Sequence, residues 1–191
     1  MTAPPALVRD GIVVRALRRG DEAEWLALRA HNRDWLRPWE ATAPHGRAQS
    51  VSFAAYLRSE RRAHRRKTGM PMVIELDGAL VGRVALGRLE WGAESGGSIG
   101  YWVSESVAGR GVAPTAVALL TEYAFRQGVH RVEIAVRPEN AASLRVAQKL
   151  GFRDEGMRLR YLHIDGAWRD HRVFALTDDE NRSGDFWSRG R

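Results

Sequence analysis

The sequence predicts an α/β or α+β domain of three layers, with a mostly antiparallel sheet flanked by helices. Three observations carry this. Apolar, β-rich runs recur along the chain, and two pairs of them flank an Asp-Gly dipeptide, a strong hairpin signal. Segments of helical periodicity alternate with these runs. The hairpins are too many for a doubly wound parallel sheet.

Ile12 to Ala16 reads as the first strand. Asp21 follows as a helix cap, with Glu24 three residues on completing a capping box. Trp25, Leu28 and Leu36 supply that helix's buried stripe. A second helix runs from Val51 to Arg66, with Phe53, Tyr56 and Leu57 on one face. Met72 to Leu76 and Ala79 to Leu86 form a hairpin around Asp77-Gly78. Trp91 to Gly97 reads as a loop and Ser98 to Ser104 as a strand. Val112 to Gln127 is a helix that tolerates Pro114 in its first turn, where a missing N–H costs little. Arg131 to Val136 is a strand, and Asn140 to Leu150 a helix closed by Gly151. Tyr161 to Ile164 and Trp168 to Leu176 close the fold as a hairpin around Asp165-Gly166. The polar tail from Thr177 is expected to fray.

The length suits a single domain over residues 1–191, with its core over about 12–176 and a tail over 177–191. No apolar run is long enough to cross a membrane, and the first residues lack a signal-peptide core. Cysteine is absent, which excludes disulfides, thiolate metal sites and a cysteine nucleophile, and suits the cytoplasm. The six histidines are scattered without paired ligand spacing, so no metal is expected. The formal charge of +7 favours anionic partners. Six of the ten residues from Arg58 to Lys67 are Arg or Lys, the densest basic run. A solvated helix end accounts for such a run as readily as a binding face does.

Val107-Ala108-Gly109-Arg110-Gly111-Val112-Ala113 joins a strand to the start of a helix. Free N–H groups and the helix dipole make such a junction an anion site, and glycine admits a phosphate close to the backbone. The spacing is neither a P-loop nor a dinucleotide fingerprint. Taken alone, the loop fits a plain glycine-assisted turn equally well.

The next helix changes this. Pro138 to Phe152 follows the succeeding strand, and Ile99-Gly100-Tyr101-Trp102-Val103 runs into Gly109-Arg110-Gly111-Val112-Ala113. Tyr161-Leu162 and Asp165 to His171 come after. In these stretches the chain resembles the GNAT superfamily of N-acyltransferases, and more closely the ribosomal-protein-alanine N-acetyltransferases of the RimJ/RimL type. The resemblance covers roughly Ile12 to Leu176. The segment Asn32 to Glu40 looks like the family's acceptor-side loop.

The resemblance implies a splayed central sheet that takes the pantetheine arm of acetyl-CoA as if it were a strand, with no metal. Main-chain groups of Trp102 and Val103 would meet the pantetheine amides. N–H groups of Gly109, Arg110, Gly111, Val112, Ala113 and Thr115 would hold the pyrophosphate. Asn140 would bind the pantetheine arm, and Arg145 either the nucleotide phosphates or solvent. Ala108 stands where relatives carry Gln or Arg, and Pro114 removes one donor. Ala147 replaces a family tyrosine that assists the leaving thiolate, and Ser143 occupies the place of the serine used by the RimL-like branch. Ser98 stands where many relatives carry a glutamate base. Strand alternation puts Arg131, Glu133 and Ala135 on one face, which makes Glu133 the first choice of base and Glu40 the second, with His171 a weaker option. Trp35, Trp39, Glu40 and Tyr161 are candidate acceptor-side residues, although aromatic residues also serve as core.

The expected activity is transfer of an acetyl group to a primary amine, foremost the N-terminal α-amine of a protein such as a ribosomal protein. A small amine, an antibiotic or a lysine side chain is the alternative acceptor, and succinyl-CoA an alternative donor. A catalytically weak CoA-binding or RNA-associated module is a reading of another class. Both monomer and homodimer fit the sequence.

Overall fold

The computed structural model describes residues 4–44 and 51–181. Its strands are β1 (Leu7–Arg9), β2 (Ile12–Arg15), β3 (Met70–Leu76), β4 (Ala79–Glu90), β5 (Gly96–Val103), β6 (Arg131–Val136), β7 (Arg153–Ile164) and β8 (Ala167–Thr177). Its α-helices are α1 (Glu22–His31), α2 (Arg33–Leu36), α3 (Phe53–Arg65), α4 (Val112–Arg126) and α5 (Ala141–Lys149). The strands form one sheet in the order β1-β2-β3-β4-β5-β6-β8-β7. Every pairing is antiparallel except β5 with β6. The mixed α+β architecture is that expected, with helices on both faces.

Three hairpins share one turn. Asp10-Gly11, Asp77-Gly78 and Asp165-Gly166 all have positive φ at both positions. That is the type I′ geometry whose twist matches paired strands. The first of them closes β1 onto β2, with Arg9 opposite Ile12. The sequence reading began its first strand at Ile12 and missed β1, although the Asp-Gly signal stands there too.

One core lies between the sheet and α4 and α5. It includes Val84, Leu86, Val117, Leu120, Val132, Ile134 and Phe174. A smaller one lies on the other face, where α1 and α3 bring Trp25, Phe53 and Leu57 against Val73 and Leu80. The Trp25 and Tyr56 rings stack there at 5.6 Å. Leu36 is buried as expected, but on α2, because α1 ends at His31. Among the described residues no helix is long and apolar enough to cross a membrane.

Four expectations need correction. Asp21 makes no side-chain cap for α1. Its carboxylate instead accepts from Arg15 Nη1 at 2.7 Å and from the Arg18 N–H at 2.7 Å, while Glu24 accepts from the Leu80 N–H. A buried guanidinium needs counter-charge more than a helix start needs a cap. The segment Trp91 to Gly97 is only partly loop, since β5 begins at Gly96. Gly97 sits so close to Leu86 that a Cβ there would lie 2.9 Å from its side chain, so the strand passes through glycine for want of space. The strand before the last hairpin runs from Arg153, not Tyr161. From Arg153 to Arg160 it is exposed on both faces and interrupted by bulges, so that stretch shows no period-two pattern. The chain after Thr177 is held through Asn181, with the Thr177 N–H donating to Glu180 at 2.9 Å. Residues 182–191 lie outside the described residues.

Arg15 also donates to Glu75 at 2.5 Å, completing a buried triad with Asp21. Burial alone raises the Asp21 pKa, but the hydrogen bonds from Arg15 and Arg18 outweigh it and hold the carboxyl below its usual value. The lowered pKa contributes stability above the unfolded value of about 3.9, lost as pH falls through the folded value. Arg15→Met leaves both carboxylates without their cation and should cost about 3–5 kcal/mol at pH 7. Urea unfolding from pH 2 to 7 should show that loss shrinking in acid, as the carboxylates of the variant protonate.

Candidate active site

The site begins where a ladder stops. β5 and β6 pair only through Gly96↔Arg131, Gly97↔Val132 and Ser98↔Glu133. Beyond that rung β5 stays with β4 as far as Val103 opposite Gly82, and β6 with β8 as far as Val136 opposite Arg172. The two halves of the sheet part into a V. The Ser104 N–H donates to the Val81 C=O at 2.7 Å. Strand alternation then turns the N–H and C=O of Tyr101 and Val103 away from β4, toward the gap. The Val103 C=O takes the Trp35 indole N–H at 3.1 Å, which agrees with that orientation. Trp102 has the opposite phase: its main chain faces β4, and its ring packs against Trp25 at 5.7 Å. Of the two residues expected to meet the cofactor's amides, Val103 has its main chain turned to the gap and Trp102 does not.

A cavity of about 370 Å³ occupies the V and extends over the starts of α4 and α5. Both helices follow parallel strands, so their N-termini lie at the same end of the sheet. Gly111 caps α4 with φ +81°, a left-handed conformation open to glycine. The loop's donors divide cleanly. The Ala108 N–H goes to Glu105 C=O, Arg110 N–H to Val107 C=O, and Thr115 N–H to Gly111 C=O as the first bond of the helix. Gly109, Gly111, Val112 and Ala113 make no main-chain bond with their N–H groups among the described residues. These four line the cavity, whereas Arg110 and Thr115 do not. Thr115 was assigned to the loop's donors by motif position, but helix geometry commits its N–H internally.

At the second helix Asn140 is the N-cap, and its Oδ1 accepts from the Ser143 N–H at 3.0 Å. Its Nδ2 remains as a donor. Ser143 and Arg145 line the cavity, and so does Lys149, one turn beyond Arg145. The sequence reading missed Lys149, although the i, i+4 spacing from Arg145 announces it. Tyr101 also lines the cavity, with its hydroxyl donating to the Ser143 C=O at 3.4 Å. Burial pushes its pKa up to about 12, so it stays a neutral phenol. Ala147, at the position of the family tyrosine, is fully buried in the core.

On the opposite wall Trp35 and Trp39 line the cavity, each 37 % exposed. The Arg137 guanidinium lies 5.3 Å from the Trp39 ring and donates to the Pro38 C=O at 2.7 Å. Glu40 is ion-paired with Arg29 and does not line the cavity. Its main chain is stitched to the last hairpin, since its C=O accepts from the Asp165 N–H. Tyr161 also stands outside, its hydroxyl accepting from Arg88 at 2.5 Å and Arg158 at 3.1 Å. Glu133 occupies the last rung of the β5–β6 ladder, beside Ser98, on the face away from α4 and α5. It pairs with Arg131 at 2.9 Å and Arg158 at 3.2 Å and does not line the cavity. His171 is buried, which pushes its pKa down, and its Nδ1 bonds the Arg169 C=O at 3.0 Å. His130 approaches Asp178 and Asp179, but this exposed group lies outside the cavity lining.

The two walls are joined by Asn32, which is 1 % exposed. Its Oδ1 accepts from the Ser104 hydroxyl at 3.0 Å and the Glu105 N–H at 2.9 Å, and its Nδ2 donates to Leu28 C=O at 2.9 Å. One amide thus ties the end of α1 to the turn that leads into the phosphate-sized loop.

A parted sheet with free main-chain donors in its gap is what the sequence resemblance implies. The family model described as "Acetyltransferase (GNAT) domain" matches residues 12–153. The chain belongs to the GNAT family. It is an acyl-CoA-dependent N-acetyltransferase. The GNAT enzyme is 32% identical over 179 residues to "Probable N-acetyltransferase YjcK" of Bacillus subtilis strain 168, covering 88% of this chain and 96% of that one. It is 28% identical over 190 residues to "[Ribosomal protein uS5]-alanine N-acetyltransferase" of Escherichia coli K12, covering 97% and 94%. Among solved structures, "Mycobacterium smegmatis RimJ in complex with CoA-disulfide" superposes with a TM-score of 0.84 at 38% identity, over 93% of this chain and 88% of that one.

Asn32→Ala leaves the Glu105 N–H without its acceptor and the Ser104 hydroxyl with only the Ser106 hydroxyl, at 3.0 Å. The expected cost is about 1–3 kcal/mol, seen as a fall in thermal midpoint of several degrees. Asn32→Asp, which keeps the acceptor oxygens but loses the bond to Leu28, should retain more of the stability.

Proposed function

We propose that this GNAT enzyme, as one acyltransferase domain, acetylates the N-terminal α-amine of a protein, with a ribosomal protein as the acceptor class. The observation that carries the reading is the shared cavity: Val103's N–H, the four free N–H groups from Gly109 to Ala113 and the Trp35/Trp39 wall all open into it. The uS5-alanine relative, aligned over 97% of the chain, supports the acceptor class.

Each residue's part follows from its chemistry. The free N–H groups at the start of α4 suit a pyrophosphate, reinforced by the helix dipole. Arg145 and Lys149 supply charge for the nucleotide phosphates. The Asn140 Nδ2 and the Tyr101 main chain provide amide partners for an extended pantetheine arm. Acetyl-CoA supplies the activated acyl carbon. The Val103 N–H is the donor available for the oxygen that gains charge when the amine attacks. As the carbon–sulfur bond breaks, the Ser143 hydroxyl, which lines the cavity at the start of α5, hydrogen-bonds the departing thiolate in this reading. The proton the amine loses to solvent is matched by one that solvent returns to the sulfur, so thiol and amide are the products.

No carboxylate or histidine lines the cavity among the described residues. A protein α-amine has a pKa of about 7.7–8.0, so a useful fraction is already neutral near pH 7.5. Strong general-base catalysis is therefore unnecessary. Glu133, held by two arginines outside the cavity lining, is not called on as the base in this reading.

Free-thiol release from acetyl-CoA tests the acceptor. Peptides with Ala or Ser ends should support turnover, and spermidine or an aminoglycoside should not; the reverse pattern would reject a protein acceptor. Ser143→Ala should lower kcat about 10–100-fold with little change in acetyl-CoA affinity by calorimetry. Glu133→Gln should retain kcat within several-fold, and its complete inactivation would restore Glu133 as the base.

A further inference from the structure

The dense basic run is spent on neither the sheet nor the cavity. It forms the outer face of α3. Arg58, Arg61, Arg62, Arg65 and Arg66 follow the i, i+3, i+4, i+7, i+8 spacing of one helical stripe, and all five are exposed. From Arg58 to Arg66 the stripe rises about 12 Å. None of the five ion-pairs with a described residue. The one acid in the run, Glu60, is turned to Arg83 at 3.0 Å, so it does not neutralise the stripe. The helix dipole explains cations in the last turn but not Arg58 near the start.

Two rows leave the ridge on different flanks. Arg58, Arg62 and Arg66 border one shallow groove, and Arg61 and Arg65 another. At the C-terminal end stands Trp91, 42 % exposed. Its indole N–H donates to the Lys67 C=O at 2.8 Å, and the Lys67 ammonium lies 5.7 Å from the ring centre. An exposed aromatic pinned at Lys67, the residue that follows the last arginine of the stripe, is the combination that holds unpaired nucleotides: cations follow the phosphates and a base stacks on the ring. A protein partner would be anchored by buried apolar or aromatic side chains. Apart from Trp91, the surface carries none of the exposed large hydrophobic side chains found among the described residues, so it offers a protein a single anchor beside five unpaired guanidiniums.

We propose that the α3 ridge and Trp91 form a docking surface for single-stranded RNA, separate from the acetyl-transfer cavity.

The test is fluorescence anisotropy with a labelled 20-nucleotide oligo(U), an RNA duplex of equal length and poly-glutamate as a protein-like polyanion. The wild-type enzyme should bind oligo(U) more tightly than duplex or poly-glutamate, with log affinity falling linearly with log salt. Arg58→Gln/Arg62→Gln/Arg66→Gln should weaken binding at least tenfold at 150 mM salt. It should also flatten the salt slope by about 0.7 for each phosphate contact removed. Trp91→Ala should weaken oligo(U) binding about tenfold while leaving the slope unchanged. Acetyl-CoA affinity should be unaltered in both variants, which shows that they fold. The proposal is overturned if oligo(U) does not bind, if both variants bind it like the wild type, or if duplex or poly-glutamate binds as tightly.

Discussion

The arrangement depends on three rungs of parallel pairing. β5 and β6 hold together from Gly96 to Ser98 and then separate, each kept in the sheet by its outer neighbour. A longer ladder would fill the gap and consume the Val103 and Tyr101 main-chain groups internally. A shorter one would leave the halves joined only by packing. Because the pairing is parallel, both strands deliver the chain to helices that start at the same end. The gap and two helix N-termini therefore meet, and the cavity is a product of topology before any side chain is chosen.

Two of the three Asp-Gly hairpins, the three-layer order and the family stretches were legible because each rests on local chemistry. Asp-Gly fixes a turn, and Asn140 three residues before Ser143 fixes a cap. The Gly109–Ala113 loop was legible as a segment but not as a donor list. Which N–H groups remain free follows from the turn at Glu105–Val107 and the first bond of α4, and neither appears in residue types alone. The same holds for Trp102 and Val103, adjacent in sequence and opposite in main-chain direction.

What escaped was mostly tertiary. Asp21 and Glu24 have the pattern of a capping box, yet Arg15 and the Leu80 N–H claim them. Glu133 lies on the face that strand alternation assigns it, but its arginine partners come from its own strand and from β7, a strand with too little apolar pattern to be read. Asn32 was noticed as the start of an acceptor-side loop. Its role as a buried link between two walls is visible only when Ser104 and Glu105 fold against it.

An open sheet normally exposes two edges, and each is an invitation to unwanted pairing. Here both outer edges are blunted. β1 is three residues long, and β7 is bulged and studded with charges. The V creates two further edges and keeps them inside the protein, along the wall of the cavity. The chemistry that drives aggregation elsewhere is thus retained in one guarded place. Resistance to edge-to-edge pairing and an open place for an extended ligand become two outcomes of the same topology, set by where the sheet is left unfinished.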